Sequence, residues 1–243
     1  MNITNRTTHD VQQGTGPWLR LRAGFLTASE APAMMGVSKY ATRTQLLHQK
    51  HTGVALEPDA ATLGKFAAGH AAEAEARPHA EMIAGGDLYP VTMTVEADGL
   101  ALLASLDGLT LDEATCWETK LWNEELAAAV RAGADALPEH YTVQMDQELL
   151  VSGAQRCLFT CTDGTPERLV SCWYESTPEK AQALVDGWRQ FLADLEAYEP
   201  QKRAEPVTAA PMESLPAVAV RMDGALQVHS NLPAFGAALR AFV

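Results

Sequence analysis

The stretch "ASLDGLTLDEATCWETK", residues 104–120, contains two runs with the composition of β-strands, joined by an acidic turn. Side chains of a strand alternate between its two faces, so Glu118 and Lys120 should lie on one side and Trp117 and Thr119 on the other. An acid and a base that face the same way indicate a candidate site.

A second carboxylate, Asp107, precedes Gly108, a residue that permits a tight bend or a close backbone approach. Asp107 and Glu118 on adjacent strands can converge on a hard cation, Mg²⁺ or Mn²⁺, with the Thr119 carbonyl as a third ligand. Such an ion lowers the pKa of bound water, and Lys120 would orient or deprotonate that water. A depressed pKa is expected for a partly desolvated lysine beside cations. Taken alone, the same residues also fit a solvated hairpin edge.

The composition predicts a globular protein with a substantial core, because 47% of the 243 residues are apolar. No run of about 18 apolar residues occurs, and the first residues lack the apolar segment of a secretion signal. We therefore expect neither a membrane span nor export, but a cytoplasmic location, for a protein encoded by a bacterial host or a prophage. The cysteines form no CxxC pair and are predicted to be reduced core thiols: Cys116, Cys157, Cys161 and Cys172.

The formal net charge of −13 argues against a surface that binds polyanions indiscriminately. Any contact with nucleic acid must therefore be local. It would use a basic groove inside an acidic surface, or divalent cations that bridge carboxylates to phosphate.

Helices are predicted before the sheet. Residues 29–36 read as a short helix with Ser29 as N-cap and Gly36 just past its end, and residues 42–53 as a second helix. The alanine-rich residues 62–84 favour a long helix that Pro78 should kink or divide.

The remaining pattern predicts a mixed α/β domain, a small mixed central sheet flanked by helices on both sides. Strands are expected at residues 88–95, 101–111 and 115–122, helices at 123–132 and 138–152, a hairpin at 156–164 and 168–176, and an amphipathic helix at 176–200.

The domain organisation predicted from composition is a main domain over residues 1–200, a Pro-rich linker at 201–216 and a short appendage at 217–243. Fewer than about 30 residues cannot form an independent core, so the appendage is expected to dock on a partner or to be cut from a longer chain.

Further segments change the interpretation of residues 104–120. In chain order they are "WLRLRAGFLTASE" from Trp18, "GHAAE" ending at Glu73, and "YTVQMDQELL", which places Tyr141, Gln144 and Glu148 on one helical face. Together with "SLDG" and "WETK" they resemble the bacteriophage lambda exonuclease and YqaJ-type viral recombinase nucleases. That family belongs to the restriction-endonuclease-like group with the PD-(D/E)xK signature.

The resemblance covers roughly residues 18–153 and extends more loosely to 198. It implies a restriction-endonuclease-like core that binds one or two Mg²⁺ or Mn²⁺ ions per active site. The catalytic residues that it implies are Asp107, Glu118, Lys120 and Glu73, and the metal ligands are Asp107, Glu118, the Thr119 carbonyl and Glu73.

The family also has a pocket for a 5'-terminal phosphate, built from an arginine, two serines and a glutamine. The matching residues are Arg22, Ser29, Ser105 and Gln144, whose side chains all donate hydrogen bonds to phosphate oxygens. Other interpretations of single residues remain open, an ion pair with Glu30 for Arg22 and a solvated position for Gln144.

One position departs from the family pattern. Leu106 stands where the family has proline before the metal-binding aspartate, a position that contributes backbone shape and no ligand. Glu73 lies in a loosely matching alanine-rich helix.

The function implied is a metal-dependent exonuclease that degrades one strand of duplex DNA from its 5' end. It would release 5'-mononucleotides and leave 3' overhangs for phage-type recombination by single-strand annealing. Family members form trimeric rings and work beside a single-strand annealing protein. The alternatives are an endonuclease or a nuclease of other polarity on the same fold, and a non-catalytic DNA-binding recombination protein.

Overall fold

The computed structural model describes residues 1–54 and 60–200. The chain divides into two units, Met1–Pro200 and Gln201–Val243, and the described residues belong to the first. The linker predicted at 201–216 and the appendage predicted at 217–243 lie outside the described residues and stay predictions.

The described residues form a mixed sheet with helices on both faces, which confirms the predicted α/β class. The strands are β1 (Ile3–His9), β2 (Leu26–Thr27), β3 (Tyr89–Ala97), β4 (Leu100–Leu109), β5 (Thr115–Leu121), β6 (Arg156–Thr162) and β7 (Leu169–Tyr174). The helices are α1 (Gly16–Ala23), α2 (Ala31–Met34), α3 (Arg43–Thr52), α4 (Ala60–Ala84), α5 (Glu124–Ala132), α6 (Glu139–Ser152) and α7 (Pro178–Glu196).

The strand order is β1-β3-β4-β5-β6-β7, and β2 pairs with β4. The pairs β5–β6 and β2–β4 are parallel, and the other pairs are antiparallel. The predicted hairpin is confirmed as the antiparallel pair β6–β7.

The strand β4 is the element that shapes the site. β3 pairs along one edge of β4, whereas on the other side β2 pairs with residues 102–103 and β5 pairs only with Gly108 and Leu109. Residues 104–107 therefore have no paired strand on that side. The sheet opens there into a gap between β4 and β5.

A β-bulge marks the same place. Leu106 pairs with Val91 and Leu109 with Tyr89, so the two residues Asp107 and Gly108 face the single residue Pro90. Proline has no N–H to give to a ladder, and bulges redirect the side chains of the strand that carries them. The bend that the sequence predicted at Gly108 is thus a bulge beside the gap.

The core lies on both faces of the sheet. The larger cluster joins the helices α2, α3, α5, α6 and α7 to one face, and includes Leu106, Cys116 and Phe159. A smaller cluster packs α4 against the opposite face at Trp117 and Leu158. All four cysteines are free thiols, three of them buried, as predicted.

Three details of the predicted helices are wrong. Ser29 is not an N-cap: it lies in a 3-10 turn (Ala28–Glu30) that is capped by Thr27, whose N–H donates to Glu30 Oε2 at 3.2 Å. Pro78 does not divide α4, because Pro78 is exposed while the alanines on the other side pack against Trp117. The sequence pattern placed Arg22 ahead of the first predicted helix, whereas Arg22 lies in the last turn of α1, a helix that was not predicted.

Two elements, β1 and α1, were not expected from sequence. β1 is exposed along nearly its whole length and shows no apolar alternation. The Arg6 side chain of β1 extends to the end of α6, where its Nε donates to the Val151 carbonyl at 2.8 Å.

Among the residues described, no helix combines the length and apolarity that crossing a bilayer requires.

A buried glutamine, Gln147, holds β2 in place beside the gap through hydrogen bonds. Gln147 on α6 is 0% exposed, and its Nε2 donates to the carbonyls of Leu26 at 2.7 Å and Leu103 at 3.2 Å. Its Oε1 accepts from Trp188 Nε1 on α7 at 2.7 Å. Every polar atom of this amide is used, so Gln147 joins β2, β4 and α7 at one point.

Replacement of this glutamine should be costly. Gln147→Leu removes three buried hydrogen bonds, to the Leu26 and Leu103 carbonyls and from the Trp188 N–H, so we expect a loss of about 2–4 kcal/mol in the free energy of unfolding. The exposed Gln190 is the matched control, and Gln190→Leu should stay within about 0.5 kcal/mol. Urea denaturation measures both, and equal midpoints would show that Gln147 does not hold the strands.

Candidate active site

The two charges of β5 lie on one side of the strand, as predicted. Lys120 Nζ donates to Glu118 Oε1, and Glu118 is only 3% exposed. On the other side, Trp117 Nε1 donates to Thr160 Oγ1 at 2.9 Å, and Thr160 Oγ1 donates to Thr119 Oγ1 at 2.8 Å. This packing fixes the strand and thereby the direction of Glu118 and Lys120.

Asp107 meets these residues across the gap. The β4–β5 register ends at Gly108 opposite Trp117, and its continuation would place Asp107 opposite Glu118. Instead of a backbone bond at this point, Asp107 Oδ2 accepts the Thr119 N–H at 2.8 Å. The bulge therefore brings two carboxylates together at the mouth of the gap.

Glu73 comes from α4, the helix that packs on the Trp117 face. Its Oε1 accepts from Arg77 Nη2 at 2.7 Å, and its Oε2 lies 3.7 Å from His70 Nδ1. Arg77 in turn lies over the Trp117 ring, 4.9 Å from its centroid. The packing of Arg77 on Trp117 thus also positions Glu73.

The three carboxylates interact electrostatically. Burial, followed by repulsion from Glu118 and Glu73, raises the pKa of Asp107 well above its usual range. Burial also raises the pKa of Glu73, partly offset by Arg77 and His70, and the Glu118 charge raises it further. Crowded carboxylates of this kind are stabilised by a cation.

The pKa of Lys120 shifts in the direction opposite to the sequence expectation. Burial lowers the pKa of this lysine, but Glu118 and Asp107 more than offset burial, and the pKa is raised above its ordinary value. A depressed pKa requires cations near the lysine, whereas the charged groups that face the Lys120 ammonium are carboxylates. Lys120 is therefore a proton donor in this arrangement.

The donor set suits a hard divalent cation. Asp107 and Glu118 offer carboxylate oxygens whose mutual repulsion such an ion would relieve, and the Thr119 carbonyl is the nearest backbone candidate in sequence. Within residues 1–54 and 60–200, no group of three or more His, Cys, Asp or Glu side chains is already arranged as a metal cage. Two carboxylates with open positions resemble Mg²⁺ sites, where water and substrate phosphate supply the other ligands.

Gln144 lies with the acids. Its Nε2 donates to Glu118 Oε1 at 2.8 Å and to Glu148 Oε1 at 2.7 Å, and its Oε1 lies 3.3 Å from Lys120 Nζ. The interpretation as a solvated helix residue is therefore wrong. Tyr141, on the same face of α6, packs against the core, with its ring 5.8 Å from Lys120 Nζ.

Glu148 is a residue whose role the sequence did not reveal. It is fully buried, its Oε2 has no hydrogen-bond partner among the described residues, and burial followed by Glu118 raises its pKa well above the usual range. It acts through Gln144, because its Oε1 fixes which way the Gln144 amide faces. The i, i+4 spacing of the two residues was the available signal.

The other three predicted phosphate-binding residues form a separate network. Arg22 Nη2 donates to Ser29 Oγ at 3.1 Å and lies near Thr27 Oγ1 at 3.4 Å. The guanidinium lies 4.5 Å above the Trp18 ring, and Trp18 Nε1 donates to Ser105 Oγ at 2.8 Å. Trp18 thus connects Arg22 to Ser105, a role that its place in the sequence pattern did not specify.

The Arg22 guanidinium is available for an anion. Burial lowers the pKa of Arg22, and the charge of Glu30 acts against that. Glu30 itself forms its ion pair with Lys50, at 2.9 Å, rather than with Arg22. Within the described residues, Arg22 therefore has hydroxyl partners and a tryptophan face, and a terminal phosphate would find an uncommitted charge.

The fold and the site together define the structural class of this protein. The chain is an α/β protein with a restriction-endonuclease-like core, in which a small mixed sheet flanked by helices carries an Asp, Glu and Lys at the point where two strands separate. A family model for the YqaJ-like viral recombinase domain matches residues 17–155, more than half of the chain. The chain belongs to this family, which confirms the resemblance seen in its sequence.

Solved structures of exonucleases have a similar fold. An alkaline exonuclease from Laribacter hongkongensis, LHK-Exo, is 25% identical with a TM-score of 0.62, over 75% of this chain and 93% of that one. The same exonuclease in complex with dAMP gives a TM-score of 0.60 at the same identity and coverage. A phage-related exonuclease from Haemophilus somnus 129PT is 13% identical over 74% of this chain and 98% of that one, with a TM-score of 0.52, and shows the fold alone. No curated protein matches the chain significantly.

The crowding of carboxylates predicts that one of them destabilises the cation-free protein. The pKa of Asp107 is raised in the folded state, so its stabilising contribution is complete below the ordinary value of 3.8 and is lost as the pH rises through the raised pKa. Asp107→Asn removes the charge and keeps an oxygen for the Thr119 N–H. In EDTA at neutral pH we expect a higher Tm, by about 2–4 °C for each kcal/mol gained.

The matched control is Asp112 in the β4–β5 turn. Hydrogen bonds from Thr110 and the Ala114 N–H lower the pKa of this exposed carboxyl, so its charge stabilises the fold at neutral pH. Asp112→Asn should therefore lower Tm or leave it unchanged. Thermal unfolding between acidic and neutral pH measures both variants, and a drop for Asp107→Asn would contradict the crowding.

Proposed function

We propose that this chain is a divalent-metal-dependent exonuclease that degrades one strand of duplex DNA from its 5' end and leaves 3' overhangs for recombination. The observation that carries the proposal is the convergence of Asp107, Glu118 and Lys120 at the gap between β4 and β5. Membership of the YqaJ-like family supports nuclease chemistry in phage recombination. The similarity to LHK-Exo, an exonuclease, supports it independently.

The proposed metal ligands are Asp107, Glu118 and the Thr119 carbonyl, with Glu73 completing the site directly or through water. When bound, one or two Mg²⁺ or Mn²⁺ ions would offset carboxylate repulsion, lower the pKa of water and stabilise charge on a phosphoryl oxygen. The protein contributes the direction of the carboxylates, because Thr119 holds Asp107 and Gln144 holds Glu118.

Lys120 works at the same phosphodiester. Its ammonium is charged beside Glu118 and Asp107 and lies near the Gln144 oxygen, so it can donate to the attacking water or to a phosphoryl oxygen. Water is the nucleophile, and the products are a 5'-mononucleotide and a shortened strand. The crystallised complex of LHK-Exo with dAMP is consistent with a nucleotide product in such a site.

The 5' polarity rests on Arg22, Ser29, Ser105 and Gln144 as the pocket for a terminal phosphate. Arg22 and Ser29 are in contact, and Trp18 joins Arg22 to Ser105. Gln144 bonds to Glu118 and Glu148, so it would exchange one of these bonds to donate to a phosphate. Guanidinium, hydroxyl and amide groups are the donors that a phosphate dianion selects.

The assembly proposed is a homotrimeric ring around DNA, with a single-strand annealing protein as partner, both carried over from the family. A ring addresses the charge of −13, because the inner surface can be basic while the outer surface is acidic. Arg20, Arg22, Lys39 and Arg43 are the residues proposed to face the DNA.

Digestion of end-labelled linear duplex tests reaction and polarity together. We expect no cleavage in EDTA, and with Mg²⁺ a release of mononucleotides that is faster from 5'-phosphorylated than from 5'-hydroxyl ends. Equal rates on both ends would remove the phosphate pocket, and early loss of a 3' label would reverse the polarity. Cleavage of closed circular DNA would indicate an endonuclease.

Replacement of the lysine tests catalysis separately from binding. Lys120→Ala should lower kcat by about 100- to 10,000-fold and leave DNA binding largely intact, because the ammonium acts on the reacting groups. The matched control is Lys180→Ala on α7, since Lys180 Nζ also lies over a tyrosine ring, 4.9 Å from the Tyr174 centroid. Unchanged turnover in Lys120→Ala would exclude the mechanism and favour a non-catalytic DNA-binding role.

A further inference from the structure

The loop between α2 and α3 carries an exposed tyrosine beside the active site. Tyr40 is 82% exposed, the highest value for an aromatic side chain among the described residues. An exposed tyrosine offers a large and rigid ring face on which a flat ligand can stack. The exposed face of Tyr40 is therefore a candidate binding surface.

Tyr40 is the outer end of an aromatic column of four rings: Tyr40, His140, Tyr141 and Phe159. The Tyr40 and His140 ring centroids are 6.3 Å apart with the planes at 79°. His140 lies 4.0 Å from Tyr141, and Tyr141 lies 5.4 Å from the fully buried Phe159. The column connects the exposed ring of Tyr40, through His140 and Tyr141, to the core on β6.

The same column reaches the candidate active site. Lys120 Nζ lies 5.8 Å from the centroid of Tyr141, two rings inward from Tyr40. The successive separations, 6.3 Å from Tyr40 to His140, 4.0 Å from His140 to Tyr141 and 5.8 Å from Tyr141 to Lys120 Nζ, place the Tyr40 ring no more than about 16 Å from Lys120 Nζ. That distance is spanned by a few nucleotides of one strand, so a strand whose phosphodiester is at Lys120 can reach the Tyr40 face.

Two cations flank the column. Burial lowers the pKa of His140, and the ammonium groups of Lys39 and Lys120 lower it further. His140 is only 6% exposed, and its Nε2 has no hydrogen-bond partner among the described residues. The exposed ring of Tyr40, with Lys39 next to it in sequence, matches a nucleotide, because it offers a face for the base and a cation for a phosphate.

We propose that Tyr40 is a stacking platform for an unpaired nucleobase of the DNA strand held at Asp107, Glu118 and Lys120, with Lys39 pairing with an adjacent phosphate. This inference rests on the proposed function, because it takes that strand as the ligand. Stacking on an aromatic face tolerates every base, which a nuclease without sequence preference requires. The platform would hold the end of the strand away from its complement.

Binding without cleavage tests the platform. The parent for this test is the full chain with Lys120→Ala, because we expect it to bind DNA in Mg²⁺ without cutting it. At low salt it is titrated with 5'-phosphorylated oligonucleotides that carry 2-aminopurine at the terminal position of a short single-stranded end. Stacking on Tyr40 should quench the fluorescence of this base. Tyr40→Leu should abolish the quenching and weaken binding by about 5- to 100-fold, whereas Tyr40→Trp and Tyr40→Phe should retain both.

The matched control is Tyr89, a 50% exposed tyrosine at the start of β3, whose hydroxyl donates to Asp87. Tyr89→Leu removes a comparable ring and should bind as the parent does. An oligonucleotide with an abasic terminal position completes the comparison, because the parent and Tyr40→Leu should then bind equally.

The outcomes separate the platform from the nuclease. Unchanged quenching in Tyr40→Leu, equal weakening of intact and abasic ends, or no quenching with the parent each overturns the platform. The unfolding midpoint of each variant shows whether the fold is intact, which an exposed position predicts. Failure of the nuclease proposal appears instead as absent cleavage in Mg²⁺ by the chain that retains Lys120, a result that leaves the binding data readable.

Discussion

The separation of β4 from β5 at Asp107 and Gly108 is the constraint on which the rest of the site depends. Pro90 gives no N–H to the ladder, and a bulge on β4 accommodates the mismatch. Gly108 is required there, because a Cβ would lie 2.8 Å from Leu88 Cβ and 3.2 Å from the Trp117 ring. Gly108 therefore lets β4 pack closely against the cluster around Trp117, while the Asp107 side chain accepts the Thr119 N–H.

The gap collects charges that a continuous sheet would not tolerate. Like charges directly opposite each other on paired strands are destabilising, and the charge of Glu118 raises the pKa of both Asp107 and Glu148. Packing elsewhere stabilises the arrangement, through Trp117 on one face and the fully bonded Gln147 on the other. Such crowding costs folding stability and provides a place for a cation and a phosphate.

Much of the fold followed from local pattern. The helix α3 begins at Thr42 with a capping box and ends at Gly53 in the left-handed conformation, both readable in sequence. The strand β1 was missed because its residues are nearly all exposed, so no alternation marks it, and it forms only because β3 offers an edge. Pro78 was expected to break α4, but its exposed position lets solvent take the carbonyl that proline leaves free.

The sequence by itself determined which chemical groups the site contains, since carboxylates, a lysine and phosphate donors at family spacing specify their kinds and order along the chain. Only the tertiary structure decided how they are grouped. Gln144 joined the carboxylates and Lys120, whereas Arg22, Ser29 and Ser105 assembled around Trp18. The physical reason is that spacing along one strand or helix is fixed by local geometry, whereas the distance between elements depends on long-range packing. Here a bulge, a buried glutamine and a tryptophan set those distances, and their roles appear only when the strands are placed side by side.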